Sequence, residues 1–290
     1  METMNRLTAW LEYRLLLPLA TMLPYPLAQR INRLRAHWMV SRRGEWRFFL
    51  EGIAPHERRM HAISEINAFK NANLTLQSLY TQWCYEEYNA TRLYRMKHPK
   101  IEFSGPFPKS QSILISAHYG FFSAITCYAE LMQKSTAAIG SDVIFMPKIP
   151  ESIQIFYKKK YAAIENGFNG PVIYQEKEPE KIITALKTGL NLVVITDLPP
   201  KKESVPITLF GKKRGWSAGA ARLAARYQLP IVPYIVTPSQ KSWHIQFFEA
   251  VEGKNTLDFQ PAYQVLANQI ESNPELWWAA DLLPLYPSFE

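Results

Sequence analysis

The chain has 290 residues, of which 47% are hydrophobic and 20% charged, a balance that excludes a disordered protein. Its formal net charge of +8 favours an acidic partner, which is nucleic acid, anionic lipid or an acidic carrier. Nucleic acid is the least supported of the three and is not expected as a partner, because no zinc-finger spacing or RNA-binding motif is present. The two cysteines are far apart and predict neither a disulfide framework nor a metal site.

Residues 1–45 are predicted to form an N-terminal helical segment that associates with a membrane surface. The apolar run from Leu15 to Pro24 has about half the length that a spanning helix needs, and prolines at positions 18, 24 and 26 interrupt it. A block of arginines and tryptophans follows, as in helices that lie on anionic lipid. The alternative is a proline-broken helix that packs on the rest of the protein and keeps its arginines solvated.

Residues 46–290 are predicted to form a single α/β domain. Apolar residues at three- and four-residue spacing predict helix over 46–97. Short runs rich in valine and isoleucine then predict strands, at 112–117, 143–145, 172–174, 192–195, 231–236 and 243–249. Helical patterns lie between and after them, at 120–132, 151–166, 178–188, 217–227 and 260–279. This alternation indicates a mostly parallel central sheet flanked by helices.

The sequence ILISAHYGFFS places His118 directly after a predicted strand. Ligands of open α/β sheets bind at the carboxyl ends of strands, and an imidazole can accept a proton near neutral pH. Gly120 allows a tight turn or the close approach of a substrate. These residues alone leave two interpretations open, a general base and a structural histidine that caps the turn.

Three segments resemble the bacterial lipid A biosynthesis acyltransferases, the late or secondary acyltransferases, which share an H-x4-D/E motif with the glycerolipid acyltransferases. They are SAHYGFFSA, the long stretch ITDLPPKKESVPITLFGKKRGWSAGAARLAARYQLPIVPYIV, and SNPELWW at 272–278. The leading LLLPLATMLPYPLAQRINRLR also resembles the family's membrane-embedded N-terminal helix. The likeness covers roughly residues 15–280, and its long second segment makes it specific.

This resemblance implies a glycerolipid-acyltransferase-like fold and an acyl transfer at the cytoplasmic face of the bacterial inner membrane, by a peripheral or monotopic protein. An acyl carrier protein or acyl-coenzyme A would donate a fatty acyl group to a hydroxyl of a membrane lipid, and no metal or bound cofactor is implied. His118 would remove the hydroxyl proton. The acid five residues later would orient the imidazole, which is the logic of a Ser-His-Asp site.

The chain departs from the family pattern at the position of that acid. Ser123 stands there, and a hydroxyl carries no charge to stabilise an imidazolium. A carboxylate from another strand end is the alternative support, from either Asp142 or Asp197. Asp197 also matches a family aspartate, so His118, Ser123 and Asp197 are the candidate catalytic residues. The other interpretation of Asp197 is a turn-forming residue.

Five residues are candidates for substrate binding: Gly120, Lys148, Ser217, Gly219 and Arg222. Lys148 offers a point charge near the position where many family members carry an arginine. Ser217 is a candidate N-cap, and the helix that follows it, with Gly219 allowing close approach, suits an anionic group. Packing of an alanine-rich helix on the sheet is the alternative. The tail AADLLPLYPSFE replaces the family's basic run, which weakens the expectation of a phosphate-rich acceptor.

Two functions from different classes therefore remain. The first is an acyltransferase that uses His118 as its base. The second is a catalytically inactive relative that binds acyl chains or carrier protein as a partner or scaffold. A carboxylate within hydrogen-bond reach of His118, in a pocket open to an apolar groove, favours the enzyme.

Overall fold

A run of buried aliphatic residues forms the central strand of the sheet, β2 (Ile113–Ser116), as expected of a strand covered on both faces. The computed structural model describes residues 2–41, 54–97, 99–132, 134–142, 146–147 and 149–289. The other strands are β1 (Lys100–Ser104), β3 (Thr136–Gly140), β4 (Val172–Tyr174), β5 (Asn191–Ile195), β6 (Ser204–Leu209), β7 (Lys212–Ser217), β8 (Ile231–Pro238) and β9 (Ser242–Phe247).

Seven of these described strands form one sheet in the order β1-β9-β8-β2-β5-β3-β4. The five strands from β8 to β4 are mutually parallel, whereas β9 runs antiparallel to β8 and carries β1 beside it in parallel. Strands β6 and β7 form a separate antiparallel hairpin. The predicted α/β class, with a mostly parallel sheet flanked by helices, is confirmed.

The α-helices are α1 (Glu2–Leu11), α2 (Leu17–Ala20), α3 (Tyr25–Ser41), α4 (Ala54–Lys70), α5 (Leu76–Tyr94), α6 (Thr126–Met132), α7 (Glu151–Phe168), α8 (Pro179–Lys187), α9 (Gly219–Tyr227) and α10 (Gln260–Ser272). A π-helical turn, Glu12–Leu16, joins α1 to α2. Short 3-10 turns cover Phe122–Ile125, Thr256–Phe259, Pro274–Leu276 and Ala280–Leu285. Among the described residues, two large buried apolar clusters each include residues from strands and helices, and a third, smaller cluster joins α3 to α5.

Several predicted boundaries are wrong. The helix predicted over 46–97 is two helices, because Asn71 adopts a left-handed conformation and Thr75 caps the start of α5. The last predicted helix ends at Ser272 rather than 279, since the chain turns at Asn273 and Pro274. Strands β1, β3, β6 and β7 were not predicted. The strand predicted at 143–145 and the domain boundary predicted at 45/46 lie outside the described residues.

The N-terminal helices pack on the domain with one face and leave the other exposed. Tyr13 and Leu17 are buried in a cluster that also contains sheet residues. Arg35 is buried and pairs with the carboxylates of Glu12 and Glu87, at 2.8 and 2.6 Å. The expectation that the arginines here are simply solvated is wrong for Arg35, because the ion pairs compensate the cost of its burial.

Candidate active site

The sheet register brings His118 and Asp197 together. Strands β2 and β5 are parallel neighbours in which Ser116 stands opposite Ile195. His118 and Asp197 each lie two residues past these paired strand ends, at the carboxyl edge of the sheet. The imidazole Nδ1 lies 2.8 Å from Asp197 Oδ1, and the His118 backbone N–H donates to Oδ2 at 3.0 Å. The structure thus places a carboxylate from another strand on the candidate base.

Asp197 is fully buried, and two aromatic side chains hold it in place. The indole N–H of Trp277 donates to Oδ2 at 2.8 Å, and the Tyr286 hydroxyl donates to the Asp197 carbonyl oxygen at 2.9 Å. Burial, together with the charge of Asp197, raises the pKa of Tyr286 well above its usual range, so the phenol remains a donor. The carboxylate is therefore oriented by several donors at once.

The second ring nitrogen of His118, Nε2, is placed to take part in proton transfer. Because Nδ1 is engaged by Asp197, Nε2 is the nitrogen that can accept a proton from a bound molecule. The ring packs edge-on against Trp278, with centroids 4.8 Å apart, and against Phe122 at 5.8 Å. About a fifth of its side chain, 21%, remains accessible. The imidazole is fixed but reachable.

Gly120 serves the turn that follows His118. Its φ is +56°, and a Cβ at this position would lie 1.9 Å from the carbonyl oxygen of Val236. Its backbone N–H donates to Leu276 O at 2.9 Å, and the Trp278 N–H donates to His118 O at 3.2 Å. Any larger residue would displace the turn from β8, so glycine has a structural reason here.

A largely apolar cavity of about 530 Å³ adjoins His118. Its walls come from strands β3 and β5, through Ala138 and Val193, and from the helices that cover them. Helix α7 contributes Ile164 and Phe168, and helix α8 contributes Ile182. The volume falls in the range of small-molecule sites. The cavity suits a flexible apolar ligand whose polar end reaches the imidazole.

Several predicted site residues line the same cavity: His118, Ser123, Ser217, Gly219 and Arg222. Arg222 is half exposed and lies 3.8 Å from Glu203. Ser217 is not the N-cap of α9: it ends β7, its N–H donates to Leu198 O, and Ala218 takes the cap position without a side-chain bond. Lys148 lies outside the described residues.

Ser123 is buried, and its hydroxyl has no hydrogen-bond partner among the described residues. Asp142, the other carboxylate considered, pairs with Lys177 at 2.8 Å on the surface. Asp197 alone of these three residues is hydrogen-bonded to the imidazole. The position occupied by an acid in the H-x4-D/E motif therefore contributes no bond to His118 in this chain.

Sequence reasoning missed three residues that shape the site. Trp277 and Tyr286 hold Asp197, and Trp278 packs on the imidazole. Their only signal was the segment SNPELWW, which carries both tryptophans. Lys160, a basic residue that the sequence suggests for an acidic carrier or a lipid phosphate or else for a solvated face, is buried in the cavity wall and pairs with Glu86, with its ammonium 5.4 Å from the Phe122 ring centroid.

Metal ligands are not grouped in this site. Across the residues that the structure describes, no three His, Cys, Asp or Glu side chains come together in an arrangement that could hold a metal ion. What the arrangement offers is a base, a carboxylate that orients it, and an apolar cavity.

Comparisons with known proteins give a structural likeness and no match in sequence. No protein-family model and no curated protein matches the chain. Among solved structures, it is similar to the crystal structure of the 1-acyl-sn-glycerophosphate acyltransferase PlsC from Thermotoga maritima, at 10% identity and a TM-score of 0.38, over 85% of this chain and 96% of that chain. A likeness of this strength says nothing about the chemistry of the present site.

Proposed function

We propose that the chain is a member of the H-x4-D/E acyltransferase superfamily, with Asp197 in place of the motif acid. It moves a fatty acyl group from an acyl-carrier-protein or coenzyme A thioester to a hydroxyl of a lipid or lipid-like acceptor. The observation that carries the proposal is the 2.8 Å contact between His118 Nδ1 and Asp197 Oδ1 beside an apolar cavity.

The proposed reaction follows from this geometry. Nε2 of His118 accepts the acceptor's hydroxyl proton while the hydroxyl oxygen bonds to the thioester carbonyl carbon. The tetrahedral intermediate collapses, the carbon–sulfur bond breaks, and the leaving thiolate takes the proton from the imidazolium. Asp197 keeps the proton of neutral imidazole on Nδ1 and stabilises the imidazolium, the part that aspartate takes in a Ser-His-Asp site.

The cavity is proposed to hold the acyl chain. Burying hydrocarbon contributes about 0.8 kcal/mol per methylene, so an apolar site of this size favours a fatty chain over a small polar acyl group. Arg222 stands half exposed among the lining residues and can meet the acidic carrier or phosphate end of the donor. The mass of the ester formed with bacterial membrane lipid extract identifies the acceptor and shows whether it is a lipid A precursor.

The membrane face is proposed to be the outer side of the N-terminal helices. Leu7, Leu11, Leu15, Leu19 and Met22 are all exposed and recur at three- to four-residue spacing. Among the described helices, none is both long and apolar enough to cross a bilayer. We propose peripheral contact at the cytoplasmic face of the inner membrane, which an exposed amphipathic face supports.

Liposome binding tests the membrane proposal. Leu15→Glu with Leu19→Glu is expected to lower co-sedimentation with anionic vesicles, because both changes put charge on the proposed face. Leu257→Glu, at an exposed leucine elsewhere, is the control and is expected to bind as the unchanged protein does. Equal binding by all three proteins would refute this face.

Acyl transfer is tested with purified protein, long-chain acyl thioesters of both donor types, and bacterial membrane lipid extract. Products are separated by mass, and free fatty acid is measured alongside. We expect the unchanged protein to form a lipid ester, and we expect His118→Ala to form it at least about 10³-fold more slowly. His61→Ala, at an exposed histidine on α4, should retain activity.

The catalytically inactive alternative gives a different result in the same assay. A scaffold would bind acyl thioester without forming ester, and His118→Ala would bind equally well. Release of free acid without ester would point to water as the acceptor and would refute transfer to lipid.

A further inference from the structure

A second cleft of about 670 Å³ lies on the opposite side of helix α7 from the catalytic cavity. Lys160, Tyr161 and Ile164 line the catalytic cavity. Lys159, Ala163 and Asn166 line the second cleft. These sets lie on different faces of one helix, so α7 is the wall between two sites. The candidate mechanism makes no use of the second.

Two cations face the second cleft. The Lys159 ammonium lies 5.8 Å from the ring centroid of Tyr94. Arg95 donates through Nη1 to Pro18 O at 2.8 Å and to Thr21 Oγ1 at 3.1 Å, which holds the guanidinium in place. Among the described lining residues none is acidic. The wall therefore carries net positive charge without a lining carboxylate to neutralise it.

Tyr94 lies beside both cations and the end of α5. Burial raises the pKa of Tyr94, while a hydrogen bond with Thr91 and the charges of Arg95 and Arg14 act to lower it and the charge of Glu87 to raise it. Glu87 is already paired with Arg35. Near the end of α5, the carbonyl oxygens of Thr91, Leu93 and Arg92 accept the backbone N–H groups of Arg95, Met96 and Lys97.

The cleft adjoins the exposed apolar face of the N-terminal helices. Pro18 lines the cleft, and Leu15, Leu19 and Met22 are 49%, 50% and 63% exposed. Pro18 lies three residues after Leu15, a spacing that puts the two on one side of a helix, and it precedes Leu19 and the turn that carries Met22. A ligand in the cleft can keep its chains beside this apolar face while its head meets the cations.

We propose that the second cleft binds an anionic phospholipid, with Lys159 and Arg95 on the phosphate head group and the acyl chains along Leu15, Leu19 and Met22. The site goes beyond the catalytic proposal, because it uses neither His118 nor Asp197. A lipid held here would fix the orientation of the protein on the membrane, with α7 between the held lipid and the acyl cavity.

Binding of short-chain lipid tests the proposal without a membrane. Calorimetry compares dihexanoyl phosphatidylglycerol, dihexanoyl phosphatidylcholine and inorganic phosphate, each lipid below its micelle concentration. We expect the anionic lipid to bind at least about fivefold more tightly than either of the others, as one cationic contact with an anionic head group implies. Equal binding of both lipids, or phosphate binding as tightly as the lipid, would overturn the proposal.

Three variants locate the site. Lys159→Gln is expected to weaken phosphatidylglycerol binding about fivefold, and Ala162→Phe, at an exposed lining position, to abolish it by filling the cleft. Lys158→Gln removes the neighbouring exposed lysine, which does not line the cleft, and should bind as the unchanged protein does. Loss of affinity in Lys158→Gln equal to that in Lys159→Gln would refute the site. Acyl transfer measured on detergent-dispersed acceptor separates this result from the catalytic proposal, since neither pocket variant touches His118.

Discussion

Trp277 donates its indole N–H to the one oxygen of Asp197 that the imidazole does not use. Oδ1 faces His118 Nδ1, and Oδ2 accepts both Trp277 Nε1 at 2.8 Å and the His118 backbone N–H at 3.0 Å. Oδ1 therefore contacts the imidazole ring, whereas Oδ2 binds the indole and the backbone N–H that fix the carboxylate in place. An amide has an oxygen in one position and an NH₂ group in the other, so it cannot accept hydrogen bonds on both sides as this carboxylate does.

Asp197→Asn should abolish most activity while leaving the fold intact. The amide oxygen must accept from Trp277 and the His118 N–H, so the amide NH₂ is turned toward Nδ1. Nε2 then carries the imidazole proton and cannot act as base. The corresponding change in a serine protease costs about 10⁴ in rate, and we expect a kcat loss of about 10³ to 10⁴ here. Asp142→Asn, on the surface, is the control. Wild-type kcat in Asp197→Asn would contradict the assigned role.

Trp277→Phe should lower kcat and leave KM for the acyl thioester nearly unchanged. The change removes one donor to a buried carboxylate, a loss of about 1 to 3 kcal/mol, or about 5- to 150-fold. Trp277 is not among the described residues that line the cavity beside His118, so we expect binding of the thioester to be unaffected. Steady-state kinetics on both parameters check this. A rise in KM with unchanged kcat would argue for a binding role instead.

Ser123→Ala should retain activity within about threefold, because no hydrogen bond to the Ser123 hydroxyl exists among the described residues. Removing a buried hydroxyl without a partner should also leave the unfolding midpoint equal or higher. Paired measurements of kcat and thermal unfolding test both points. A large loss of kcat in a stable Ser123→Ala protein would restore the serine to the catalytic set.

Ala138→Leu should shift the preferred acyl chain to shorter lengths. Ala138 lies on β3 and lines the cavity, and three added carbons occupy space that a long chain would otherwise fill. We expect kcat/KM to fall by at least about tenfold for a sixteen-carbon thioester and to change little for an eight-carbon one. A uniform loss over all lengths would indicate distortion of the sheet rather than a shorter cavity.

Glu12→Gln should remove a pH dependence of stability. Burial raises the pKa of the Glu12 carboxyl, and Glu87 adds to the rise while Arg35 opposes it. The native state thus binds this proton more firmly than the unfolded chain, so stability falls as pH rises above about 4.3 toward the raised pKa. The unfolding free energy of wild type minus that of Glu12→Gln should decline as the pH rises from about 4.3 to the raised pKa of Glu12. A difference that rises with pH would contradict the assignment.

The meeting of His118 and Asp197 was partly predictable. Both follow valine- and isoleucine-rich runs, and parallel strands deliver their carboxyl ends to one edge. The strand pattern alone could not select between Asp142 and Asp197, since the choice depends on which strands are neighbours, and only the family resemblance favoured Asp197. Asp142 follows β3, which pairs with β5 rather than with β2.

Other elements and contacts could not be predicted from the residues that lie near them in the sequence. β3 reads TAAIG, in which alanines and a glycine replace the branched residues that mark a buried strand. The burial of Arg35 depends on Glu87, 52 residues away, and no local pattern reports that pairing. Trp277 and Tyr286 reach Asp197 across separations of 80 and 89 residues.

Those long separations have a consequence for biosynthesis. When a nascent chain has emerged only through β8, it already carries the imidazole and the carboxylate but neither the indole nor the phenol that hold the carboxylate. The acid–base pair acquires its final setting only after the last strand, α10 and the closing turns have left the ribosome.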